Sequence, residues 1–315
     1  MPNLEQFVNF NPEEEIPNLD GKVIFITGGT SGLGRASVIA LAKHNPAHIY
    51  FTGRNAKGAQ ALIGEVRAER PLIQTTFVKM DMTSLASVKK ACKEFVHDRL
   101  DILMCNAGVM FIPPGVSTDG FELHFAINHL AHAMIIQELL PVMTETAKMP
   151  NSDVRVLSLT STAWMGHPKN GVTFSTLRTP QKGFMGSSFR YGQSKLANIV
   201  YPAELARRYS NTNITFLSVH PGAVKTPLTT AKPPLHLRLI TLIVLWFMGV
   251  TLMEEEQGRL SQLWAAAGAK KDELTNGSFY MPVGRLSDDR LDKTAQSPEL
   301  AQELWAYTQD VLSKF

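Results

Sequence analysis

From Lys22 onward, short β-branched or apolar runs alternate with longer stretches whose apolar residues recur at helical spacing. Predicted strands are 22–27, 48–52, 75–79, 101–105, 154–160, 214–219 and 278–281. Predicted helices lie near 33–44, 56–69, 84–97, 119–147, 190–209 and 254–268. Such alternation predicts an α/β fold: one doubly wound parallel sheet of about seven strands, with helices on both faces. No repeat, low-complexity tract or linker divides the chain, so residues 1–315 read as one domain with a leader at 1–20.

Two stretches interrupt the rhythm. Residues 163–189 form a Gly- and polar-rich insertion ahead of the helix that carries Tyr191. Residues 239–253 contain no charge and lie between Arg238 and Glu254-Glu255-Glu256. They fall short of the ~18–20 residues that span a bilayer. The preferred reading is a buried or substrate-covering helix within a lid at 226–256; contact with a membrane surface comes second and a true span last.

Hydrophobic content of 44% is ample for a core, and 19% charge argues against disorder. A net charge of +3 with no long Lys/Arg run argues against a nucleic-acid partner. Cys92 and Cys105 supply neither a disulfide framework nor a metal cluster, and Cys105 reads as a buried small hydrophobe. Residues 1–20 lack the basic start and apolar run of a signal peptide, so a cytoplasmic location is expected. The terminal Ser313-Lys314-Phe315 departs from the peroxisomal Ser-Lys-Leu ending.

Candidate chemistry sits at the strand ends. Thr27-Gly28-Gly29-Thr30-Ser31-Gly32-Leu33-Gly34 follows the first strand and opens a helix. Glycines there let the backbone turn sharply and approach a pyrophosphate, whose charge the helix N-terminus favours. After the second strand come Gly53 and Arg54, where NAD sites usually place Asp or Glu. A guanidinium in place of a carboxylate suits a 2′-phosphate, so NADP(H) is the expected cofactor. Further on, Tyr191-Gly192-Gln193-Ser194-Lys195 puts a phenol and an ammonium on one helical face. A nearby positive charge favours the phenolate; bringing it to about 7 takes roughly 4 kcal/mol. A phenol tuned in this way can exchange a proton with a carbonyl or alcohol oxygen.

Together these residues resemble the short-chain dehydrogenase/reductase family. Its marks are TGGTSGLG at 27–34, Asp81 after the third strand, CNAGV at 105–109, Asn128, Ser161, YGQSK at 191–195 and HPGAVKT at 220–226. FAINHLAH at 125–132, the insertion and KLANIVY at 195–201 are similar to the retinol-dehydrogenase and WW-domain-oxidoreductase branch, without WW domains. The resemblance implies a Rossmann-type sheet and a catalytic set of Asn128, Ser161, Tyr191 and Lys195. In that set Tyr191 is the acid/base, Lys195 lowers its pKa and holds the nicotinamide ribose, Ser161 bonds the substrate oxygen, and Asn128 positions a relay water. It also implies a cofactor site formed by Gly28, Thr30, Ser31, Gly32, Leu33, Gly34, Arg54, Asp81, Met82, Asn106, Ala107 and Gly108. Tyr191, Lys195, Pro221, Gly222, Val224 and Thr226 complete it. The long interval between Ser161 and Tyr191 departs from compact family members and leaves the pocket walls open.

The expected function is hydride transfer between NADP(H) and a bulky, apolar ketone, aldehyde or alcohol, chiefly in the reducing direction. Met110, Trp164, Met165, Phe184, Met185 and residues 239–253 are candidate pocket linings, each with core packing as its competing role. His129, His132 and His220 read as structural. The resemblance implies a homodimer or homotetramer. A non-catalytic NADP(H) sensor and a cofactor-retaining isomerase or epimerase are the alternatives.

Overall fold

The computed structural model describes residues 8–183, 186–224 and 253–315. The strands β1 (Val23–Ile26), β2 (His48–Gly53), β3 (Gln74–Lys79), β4 (Ile102–Cys105), β5 (Val154–Leu159), β6 (Ile214–Val219), β7 (Phe279–Met281) and β8 (Arg285–Leu286) form one sheet. Its order is β3-β2-β1-β4-β5-β6-β7-β8. All pairs are parallel except the last, where Tyr280 faces Leu286 and Met281 faces Arg285.

Side-chain alternation along the buried strands divides the core in two. Phe25, Leu103, Val156 and Phe216 join one apolar cluster, with the helices Leu85–Cys92, Ala131–Ala147, Gly186–Arg208 and Pro298–Leu312. Ile24, Ile26, Met104, Leu157 and Leu217 join the other, with the helices Gly32–Ala42, Ala56–Glu69 and Glu255–Leu263. Both faces are therefore covered, as the sequence pattern predicts. The order reverses at β1, which pairs with both β2 and β4. A crevice outside the C-terminal ends of strands at such a reversal is where open α/β sheets hold ligands.

Several boundaries depart from the predicted ones. The two-residue β8 gives no periodic signal and makes the sheet eight-stranded rather than seven-stranded. The Tyr191 helix starts at Gly186, so the insertion ends before 189. The terminal helix Pro298–Leu312 is absent from the predicted set, although Ser297 caps it through Leu300 N at 3.1 Å and Pro298 opens it. That helix closes over the Tyr191 helix: Thr308 bonds His129 at 2.9 Å, and the Arg208 guanidinium lies 3.4 Å from the centre of the Trp305 ring. None of the helices among the described residues is long and apolar enough to cross a membrane. Residues 239–252, Phe184, Met185 and Thr226 lie outside the described residues.

Candidate active site

The glycine loop joins β1 to the Gly32–Ala42 helix at the reversal. Gly28 takes φ +69°, a conformation costly for residues with a Cβ. A Cβ on Gly34 would lie 2.6 Å from Asn106 Nδ2 and closer still to the Gly28 carbonyl. Only glycine therefore lets the helix start this near to β1 and β4. Ser31 occupies the N-cap position without a side-chain capping bond, leaving the first amides of the helix to meet an anion. This cradle fits a nucleotide pyrophosphate. The Leu33 side chain packs towards Gly258.

Thr27 and Asn106 tie the loop to β4. Thr27 Oγ1 accepts from the amides of Asn106 and Ala107, both at 2.9 Å, and Asn106 Nδ2 donates to Thr27 O at 2.9 Å. Thr27 belongs to the quoted motif, yet sequence reasoning misses its role, because a strand-end threonine carries no signal of its partners. At β2, a Cβ on Gly53 would fall 2.7 Å from Thr30 Oγ1, so exposed Arg54 stands beside the glycine loop. Asp81 Oδ1 accepts from Thr83 N at 3.0 Å and Thr83 Oγ1 at 2.8 Å. It shapes the turn, whereas Ser84 caps the next helix. Met82 is half-buried against the core, and its side chain contributes to packing.

Asn128, Ser161, Tyr191 and Lys195 come together at the ends of β4 and β5. Asn128 lies in a π-helical turn, Ala126–Leu130, and is wholly buried. Its Oδ1 accepts from Val109 N at 2.8 Å, and its Nδ2 donates to Val109 O at 3.0 Å and Ser194 Oγ at 2.9 Å. The amide is thus committed to positioning backbone; a relay water would have to use the Asn128 carbonyl, which already accepts from His132 Nδ1 at 2.9 Å. Because a carbonyl only accepts, this bond fixes the His132 tautomer, and Nε2 accepts from Thr27 Oγ1 at 2.9 Å. His132 therefore links the Asn128 turn to the glycine loop.

Tyr191 is 4% exposed. Burial pushes its phenol up to about 12, and a hydrogen bond to Ser161 offsets only part of this. The Lys195 ammonium lies 5.8 Å from the ring centre and donates to Leu159 O at 2.9 Å. Burial lowers Lys195 to about 8. In the free protein the tyrosine is thus raised by burial, where the sequence led one to expect a lowering by lysine. Gly192, inside the pentapeptide, is what allows the helix to reach Ser161 across the insertion. A Cβ there would lie 2.7 Å from Gly166 C and 3.0 Å from Ala163 O. Gly108 opens the space facing the pair: its added Cβ would sit 3.2 Å from Asn128 Oδ1 and 3.7 Å from Lys195 Nζ.

The rim completes the picture. Gly222 turns at φ +93°, and Val224 pairs with Met253, whose N–H donates to Ala223 O at 2.8 Å. The described ends on either side of 225–252 therefore meet beside Pro221 and Gly222. Trp164 is buried and joins the core cluster, whereas Met165 is exposed and Met110 half-exposed. Phe111 gives no signal in the sequence; its ring lies 5.9 Å from that of Tyr191.

Comparison with known proteins agrees with this geometry. Residues 22–176 match the short chain dehydrogenase family model. A short-chain dehydrogenase/reductase of Armillaria gallica is 33% identical, covering 93% of this chain and 91% of its own. Retinol dehydrogenase 12 of Mus musculus is 31% identical over 93% of this chain and 87% of its own. The NADPH-dependent 3-quinuclidinone reductase of Rhodotorula rubra shares the fold, with a TM-score of 0.63 and 18% identity over 90% of this chain and 98% of its own. The chain is an oxidoreductase of the short-chain dehydrogenase/reductase family, in its retinol-dehydrogenase-like branch.

Proposed function

We propose that the protein is an NADP(H)-dependent reductase of bulky, apolar ketones or aldehydes. The observation that carries the reading is the buried Tyr191 phenol held by Ser161, with Lys195 on the same helix, at the mouth that also holds the glycine loop. A bound nicotinamide supplies or accepts the hydride equivalent at this mouth. Tyr191, protonated throughout the physiological range, donates its proton to the substrate oxygen. Ser161 donates a hydrogen bond to the same oxygen and steadies the charge that develops there. Lys195 would hold the nicotinamide ribose, while Asn128 anchors the Val109 backbone and Ser194 beside it. Names such as retinol dehydrogenase among the relatives support a long apolar substrate for this chain.

Exposed Arg54 beside Thr30 supports NADP(H) over NAD(H). A charge-assisted bond to a phosphate contributes about 1.5–3 kcal/mol. Arg54→Ala is therefore expected to weaken NADPH binding roughly 10- to 100-fold, with little change for NADH, by fluorescence titration. Equal loss for both nucleotides would remove the argument for the 2′-phosphate. Stoichiometric NADPH consumption with a bulky ketone tests the reaction class. Product formed without net NADPH loss would instead indicate an isomerase.

A further inference from the structure

A second set of buried charges lies behind the phenol, unused by the chemistry above. Glu122 is fully buried, as is His124, and Arg190 is 2% exposed. Glu122 Oε1 accepts from His124 Nδ1 at 2.9 Å, and Oε2 accepts from Phe125 N at 2.8 Å. Arg190 Nε stands 3.3 Å from Glu122 Oε1 as an ion pair. The other arms of the guanidinium reach two loops: Nη1 donates to Gln181 O at 2.9 Å and Nη2 to Ile112 O at 3.2 Å. One loop is the insertion, and the other carries Phe111.

Both loops are held in conformations that ordinary residues avoid. Phe111 has φ +52° and Gln181 φ +45°. A bulky residue in the left-handed region persists only where its surroundings over-determine it. Phe111 is nonetheless 56% exposed, with its ring against Tyr191, so apolar packing alone does not hold it. The carbonyl of the next residue, Ile112, is what Arg190 grips. Arg190 itself adjoins Tyr191 in the same helix.

We propose that the buried Glu122–Arg190 pair is a positioning clamp that holds Phe111 over Tyr191, making Phe111 the wall against which the flat, apolar part of a substrate rests. The inference rests on the reductase reading above. Arg190 is the positioning residue, Glu122 orients it, and Phe111 meets the substrate. A planar fork can grip two carbonyls while pairing with a carboxylate; a lysine keeps the charge but loses that fork.

The test compares wild type with Arg190→Lys, Phe111→Ala and the double variant, reducing 2-acetonaphthone and 2-butanone with NADPH. A displaced wall costs rate on the order of tenfold or more for the bulky ketone. Both single variants are expected to lose at least fivefold in the ratio of kcat/KM values, naphthyl over butyl, with NADPH affinity unchanged. The double variant is expected to lose no more than Phe111→Ala alone, because the clamp acts through the ring. Wild-type selectivity in Arg190→Lys, or fully additive losses, would overturn the clamp. If Arg190→Lys does not fold, Glu122→Gln takes its place: a fivefold loss in the same ratio supports the clamp, and wild-type selectivity overturns it. Wild-type protein that turns over neither ketone would overturn the reductase reading and the clamp together.

Discussion

Lys195→Met is expected to lose turnover by roughly 10²- to 10⁴-fold and to melt higher than wild type. The two effects share one cause. Burial holds the Lys195 ammonium at about 8, against an ordinary value of 10.5. The folded state therefore carries the cost of a buried charge at pH 7, about 3 kcal/mol at ~1.36 kcal/mol per unit. Methionine fills the same channel without that charge. The lost bond to Leu159 O offsets part of the gain, but that carbonyl keeps Asn198 Nδ2 at 3.0 Å. A net gain of about 1–2 kcal/mol corresponds to a few degrees in Tm. With the folded pKa below the unfolded one, the cost is full below about 8 and fades as pH rises towards 10.5, so this group adds stability over that window. Melting curves at several pH values check both statements. A Lys195→Met variant that melts lower than wild type would show that the ammonium is a net structural support.

Acid is expected to unfold the protein well above the range in which carboxylates titrate. Burial lowers His129 to about 3, and His132 and His220 to about 4, from 6.5. All three are neutral in the fold and engaged: His129 with Thr308, His132 with Thr27 and the Asn128 carbonyl, and His220 through its backbone with Tyr280 O. The unfolded chain binds protons on these rings below 6.5 while the folded chain does not. Their contribution is complete above 6.5 and is lost as pH falls towards 4. Three such groups together remove about 4 kcal/mol per pH unit, against a total of ~5–15 kcal/mol for a typical domain. Cooperative loss of structure is expected near pH 5, followed by circular dichroism. His48, which burial also lowers to about 4, adds to the same slope, so His129→Phe would flatten it by about a quarter. A stability that stays level from pH 6.5 to 5 would contradict the neutral-core assignment.

The sequence made the architecture and the reacting groups legible for a physical reason. Strands covered on both faces must be apolar throughout, and a phosphate cradle must be built from glycine, so both leave marks in composition and spacing. Strands β1–β7 fall within a residue or so of their predicted spans. What stayed hidden depends on contacts between distant segments. Glu122, Arg190 and Phe111 look like ordinary surface residues in the sequence; only the fold brings Gln181 and Ile112 to one guanidinium. The π-turn at Asn128 likewise has no periodic signature. The tyrosine's electrostatics depart from the sequence expectation because spacing reveals a neighbouring ammonium but not the depth of burial that raises the phenol.

In the proposed reaction Tyr191 is the proton donor of a nucleotide-dependent reductase. The most direct test of that role is paired: NADPH titration and turnover of a bulky ketone, for wild type and Tyr191→Phe. Phenylalanine keeps the ring that packs against Phe111 and removes only the hydroxyl. Similar NADPH affinity in both proteins is expected, with turnover falling roughly 10²- to 10⁴-fold in the variant. Undiminished turnover by Tyr191→Phe, or wild-type protein that binds no nucleotide, would contradict it.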